Sequence, residues 1–110
     1  MKVSDLRSAE DYKSFLLTYL AEADYKVTQE EREIILKHIS EDRYESLKSL
    51  IDRMSDFECL QVITTYKRAY LTDQHVLDEL IREMEDIYNA NDHKSVLEQN
   101  MLLGLKKVLY

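Results

Sequence analysis

Apolar residues recur along this chain at intervals of three and four, the spacing that builds one face of an α-helix. Tyr12, Phe15, Leu16, Tyr19, Leu20 and Ala23 form the first such face, over residues 8–23. Ile34, Ile35 and Ile39 form a second over 29–39, with Val27 ahead of it as a hydrophobic staple. Tyr44, Leu47, Leu50, Ile51 and Met54 follow over 43–53, then Phe57, Leu60, Ile63, Tyr66 and Tyr70 over 56–70. Val76, Leu77, Leu80, Ile81, Met84, Ile87 and Tyr88 mark 73–89, and Leu97, Met101, Leu102, Leu105, Val108 and Leu109 mark 96–109. The run Val62-Ile63-Thr64-Thr65-Tyr66 is β-prone by residue type. It continues the periodicity begun at Phe57 and has no turn residues at its flanks, so it is assigned to helix.

With one Gly and no Pro in the chain, helix ends must be marked by side-chain caps. The recurring signal is Ser or Thr followed three residues later by Glu, in which hydroxyl and carboxylate each accept from an amide at the helix start. Thr28 with Glu31, Ser55 with Glu58 and Ser95 with Glu98 make three such boxes, and Asp42 with Glu45 is an Asp-started variant. Ser8 and Thr72 are caps without a Glu partner. The expected fold is all-α: a compact bundle of about six short helices with short connections, a single domain over residues 1–110.

Charge narrows the functions. The chain has 15 Lys plus Arg against 22 Asp plus Glu, a net charge of −7. Phosphate backbones are repelled by such a surface, so no nucleic-acid partner is expected. One Cys excludes an internal disulfide and fits a reducing compartment. Uncharged stretches such as Cys59 to Tyr66 are far shorter than the roughly 20 residues a membrane span needs. No apolar region follows Met1-Lys2-Val3-Ser4-Asp5-Leu6-Arg7, so no secretory signal is read there. A cytoplasmic protein is the expectation. Many of the acids are helix punctuation, which weakens the charge as evidence for a cationic partner.

A faint repeat runs through the chain. Ala23-Asp24-Tyr25-Lys26-Val27-Thr28-Gln29-Glu30-Glu31 is echoed by Ala90-Asn91-Asp92-His93-Lys94-Ser95-Val96-Leu97-Glu98 at a constant offset of 67. The apolar triplets Ile34-Ile35-Leu36 and Met101-Leu102-Leu103 keep the offset, as do Leu17 and Leu20 with Met84 and Ile87. Two readings stand: shared hairpin chemistry, or a duplication that leaves two related hairpins flanking a central helix pair.

A helix ending in Ala-Asp, a short turn, and Ser/Thr-x-x-Glu opening the next helix resembles the TerB-like domains, which are associated with bacterial tellurite resistance and stress response. Ala23-Asp24 with Glu31 matches the first copy of the family pattern, and Ala90-Asn91 (or Asp92) with Glu98 the second; residues 12–109 are covered. Tyr25 stands where the family usually has Gly, and Asn91 where it often has Asp. The resemblance implies divalent-cation binding through these acids and work in assemblies near the membrane, with peripheral membrane association.

Ca²⁺ or Mg²⁺ takes hard oxygen ligands. Asp24, Glu31, Asn91, Asp92 and Glu98 would supply them if the two hairpins pack side by side, with Glu22 and Asn89 flanking. The competing reading makes Glu31 and Glu98 capping-box residues favoured by the helix dipole, and Asp24 and Asp92 ordinary turn residues. Zinc is disfavoured, because His38, His75, His93 and Cys59 lie on separate segments. Cys59 reads as a buried inert thiol. No phosphate loop or catalytic motif occurs, so no enzyme activity and no certain cofactor are expected.

Residues Asp73 to Asp86 hold six acids against Arg82, with Asp78 and Arg82 spaced as an ion pair. They read as a solvated face, or as a docking surface for a basic partner with Tyr88 as anchor. Most of the eight tyrosines are expected at the core edge with their hydroxyls in water, while Tyr25 and Tyr110 are expected exposed. Gly104, inside the last helix, suggests close approach of another helix. The leading function is a small intracellular TerB-like module acting through protein partners, tuned by a divalent cation at the two turns. The alternative is a generic helical adaptor or regulatory protein without metal, resembling death-fold or phage regulatory bundles.

Overall fold

The computed structural model describes residues 2–22, 27–90 and 96–110. A short 3₁₀ turn at Val3–Asp5 precedes six α-helices: α1 Ala9–Ala21, α2 Gln29–Leu36, α3 Glu41–Asp52, α4 Asp56–Tyr70, α5 Gln74–Asn89 and α6 Val96–Leu109. No strand occurs among the described residues, and the β-prone run 62–66 is helical. The radius of gyration is 12.6 Å, close to the roughly 13 Å of a compact chain this long. Among the described residues, no helix is long and apolar enough to cross a membrane.

Caps set the helix starts. Ser8 accepts from the Asp11 amide at 3.1 Å. Thr28 and Ser55 form complete boxes with Glu31 and Glu58. Two caps differ from expectation. Ser40, not Asp42, opens α3 by accepting from the Arg43 amide, and Asp73, not Thr72, opens α5 by accepting from the His75 amide. The observed caps lie two residues before and one residue after the predicted ones, because the acceptor must face the free amides of the first turn. α2 stops at Leu36, so Ile39 lies beyond it in the connection to α3. The Ser95 cap lies outside the described residues.

α1 occupies the centre. It packs against each of the other five helices, and these follow one another around it in the order α3, α2, α5, α6, α4. Every residue from Tyr12 to Ala21 is buried. Periodicity marks one apolar face, but the environment is buried on all sides, so Leu17, Ser14 and Thr18 also face protein. Full burial of each Phe or Leu here contributes about 2 kcal/mol. Thr18 Oγ1 donates to the Ser14 carbonyl at 2.7 Å, while the Ser14 hydroxyl is buried without a hydrogen-bond partner. The Tyr12 hydroxyl donates to the Ile63 carbonyl of α4, also at 2.7 Å. Tyr12 is therefore a core residue, not an edge residue reaching water. Lys13 is buried along its stem and brings its ammonium to 3.8 Å from Glu79.

Three acids of α5 pair with neighbouring elements. Glu79 faces Lys13 of α1, Glu85 pairs with Lys106 of α6 at 2.9 Å, and Glu83 pairs with His38 at 2.9 Å. His38 also meets Glu10 of α1 at 3.2 Å through its other ring nitrogen, so the end of α2 is tied to both α1 and α5. Asp78 takes hydrogen bonds from Gln74 and Tyr110, not from Arg82. The face is solvated, with Asp73, Asp78, Glu79 and Asp86 exposed, and three of its acids also tie it to neighbouring elements.

Two further expectations are corrected. Phe57 is 69 % exposed, because it falls on the outer side of the first turn of α4 while Cys59, Val62 and Ile63 point inward. Gly104 is exposed, and no atom lies within 4 Å of where its Cβ would stand, so no helix approaches it. Its cost is then purely conformational. Gly104→Ala should raise stability by about 1 kcal/mol, read as a higher urea midpoint with unchanged slope; a lower midpoint would mean that this face of α6 packs against something after all.

Candidate functional site

The offset of 67 carries over into burial. Leu17 and Leu20 are 0 % exposed, as are their counterparts Met84 and Ile87. Ile35 and Leu102 are the buried members of their triplets. Glu31 and Glu98, the acids opening α2 and α6, are both completely buried. Sequence alone does not indicate that these carboxylates are inside. Glu31 Oε1 accepts from the Thr28 amide at 3.1 Å, completing the capping box. Its Oε2 is buried with no hydrogen-bond partner. Of the predicted cation ligands, Asp24, Asn91 and Asp92 lie outside the described residues. Among the described residues, no group of three His, Cys, Asp or Glu is arranged to hold a metal ion.

A second feature has no counterpart in the sequence reading. A cavity of about 780 Å³ opens at the end of the bundle where α1 and α3 finish and α4 and α6 begin. Glu22, Asp52 and Asp56 line it, opposed by Lys48. Ile51, Met54, Leu97 and Met101 give it apolar walls. Tyr19 and Cys59 also line it, both buried. Such a volume falls in the range of small-molecule pockets.

The carboxylates dominate the field there. Burial pushes Glu22 up to about 7; Asp52 adds to the shift by its charge and by a hydrogen bond to Glu22, and Lys48 opposes it. Burial pushes the Cys59 thiol up to about 12, with Asp56, Glu58 and Glu22 adding to the effect. The thiol is thus protonated and unreactive at neutral pH, as expected of an inert core cysteine. The Tyr19 phenol is raised by burial and by Asp56, to which it donates a hydrogen bond at 3.1 Å. Burial raises Tyr44, and among the charges around it Glu22 and Glu31 both add to the shift. The acid opening α2 and the acid closing α1 therefore act on one buried phenol.

One signal in the sequence points to this end of the molecule. Glu22 follows the last residue of α1, and Asp52 is the last residue of α3. An acid at a helix C-terminus meets the negative end of the dipole, so two of them are unfavourable for the helices that carry them. Periodicity locates the ends, but only packing brings the two ends together.

These features define an all-α bundle with an acidic, partly apolar cavity at one end. The chain matches no family model, no curated protein and no solved structure.

Glu22 sets a pH dependence. Its folded-state value, about 7, lies above the ordinary 4.5, so its contribution to stability is fully present below about pH 4.5 and is lost as pH rises through about 7. Glu22→Gln stays neutral and keeps a donor for Asp52. For this half-exposed group the variant should gain about 1 kcal/mol over wild type near pH 8 and nothing near pH 4. Urea unfolding at the two pH values reads the difference; an equal gain at both would mean that the raised value of Glu22 is not its cause.

Proposed function

We propose that the chain is a small TerB-like helical module of the cell interior, without enzymatic activity, that acts through protein partners and takes a divalent cation at the turns opening α2 and α6. The observation that carries this reading is the complete burial of Glu31 and Glu98 at positions related by the offset of 67. A buried carboxylate is costly unless its charge is compensated. The free Oε2 of Glu31 is the donor type that Ca²⁺ and Mg²⁺ prefer. Asp24, Asn91 and Asp92 would complete the ligand set with Glu98, and a bound cation would hold the two hairpins together and so set the surface offered to a partner.

A second reading, an adaptor without metal, is favoured by the complete capping box at Thr28 and Glu31. There each acid serves only its own helix. Calorimetric titration and thermal unfolding with Ca²⁺, Mg²⁺ and Mn²⁺ separate the two. Cation binding should raise stability by about 2.7 kcal/mol at a hundredfold excess over Kd, and Glu31→Gln or Glu98→Gln should abolish the gain. No heat and no shift at millimolar cation would leave the plain adaptor.

A further inference from the structure

The cavity is independent of the cation reading and has its own chemistry. Acids on a convex surface are simply hydrated, and they call for no ligand. Here Glu22, Asp52 and Asp56 stand on the wall of a concavity that also presents Ile51, Met54, Leu97 and Met101. Lys48 is the single cation lining it among the described residues, so the balance at the wall is negative. An anionic ligand would meet this field unfavourably. A bare metal ion would find no group of three ligands among the described residues and would leave the apolar wall unused. A single side chain from another protein would fill only a fraction of about 780 Å³. What matches both halves of the lining is a molecule with a positive head and an apolar body.

We propose that the cavity between α1, α3, α4 and α6 binds a small organic ammonium compound, a primary amine carried on an aliphatic or aromatic body. The ammonium sits between the Glu22–Asp52 pair and Asp56, donating charge-assisted hydrogen bonds. The body lies along Ile51, Met54, Leu97 and Met101. Lys48, which faces the same pair, works against the amine, and the Tyr19 and Cys59 protons stay where they are.

The probes are 4-phenylbutylamine, the neutral isostere 4-phenylbutan-1-ol and the anionic 4-phenylbutanoate, titrated into protein labelled at its methionine methyls. Met54 and Met101 line the cavity, whereas Met84 lies fully buried in the core and serves as an internal control. The amine should shift Met54 and Met101, leave Met84 in place, and bind about tenfold more tightly than the alcohol, the factor expected for one charged hydrogen bond. The carboxylate should be weakest. Asp52→Asn, at an exposed position, should cost the amine about tenfold and the alcohol nothing. Equal affinity for amine and alcohol, shifts that spread to Met84, or no shift at about 10 mM amine, a concentration that would detect even millimolar binding, would overturn the proposal. The titration is run without divalent cations, so failure of the cation reading leaves this test intact.

Discussion

One helix carries the architecture. α1 is buried on every side from Tyr12 to Ala21, and the other five helices take their positions from it. A helix in that place must present something packable in all directions. The chain meets this with large apolar groups at Phe15, Leu16, Leu17 and Leu20, and with small polar ones at Ser14 and Thr18. Thr18 returns its hydroxyl to the helix's own backbone, so burial costs it little. Tyr12 reaches into α4 for the Ile63 carbonyl, which places α4 along the axis as well as against it.

Ion pairs then join the outer helices to α1 and to one another, beside the apolar contacts. Lys13 meets Glu79, His38 joins Glu10 and Glu83, and Lys106 meets Glu85. Arg32 of α2 pairs with Glu41 of α3 and lies over the ring of Tyr44, 5.6 Å from its centroid. Exposed pairs of this kind contribute little singly. Their value here is positional, since each joins a different pair of elements around α1. These pairs and the capping boxes at Glu31 and Glu58 give many of the acids a role, and Glu22, Asp52 and Asp56 line the cavity at the end of the bundle.

That end is where helix termini of unlike polarity meet. α1 and α3 bring their C-terminal ends with Glu22 and Asp52, and α4 brings its N-terminal end with Asp56. Asp56 is favoured by its own helix, and the other two are not. Burial and the neighbouring Asp52 push Glu22 toward its neutral form, and Lys48 opposes them. Such an arrangement is less stable than a neutral one, and it gives this end of the molecule its chemistry.

Much of the fold is legible in the sequence. The helical periods, the boxes at Thr28 and Ser55, and the 67-residue echo all correspond to observed elements, because local hydrogen bonding and the 3.6-residue repeat act within a few residues of one another. The spans 56–70 and 96–109 coincide with α4 and α6. What the sequence left open depends on neighbours far along the chain. The same pattern of polar and apolar residues serves a half-buried helix and a central one, so the full burial of α1, the core position of Tyr12 and the exposure of Phe57 follow only once the outer helices are in place. Glu31 and Glu98 read as surface caps until packing encloses them, and the cavity exists only where four helix ends, separated by up to most of the chain, are brought together. Local physics determined the helices; the order in which they surround α1 decided which of their residues became core, staple or site.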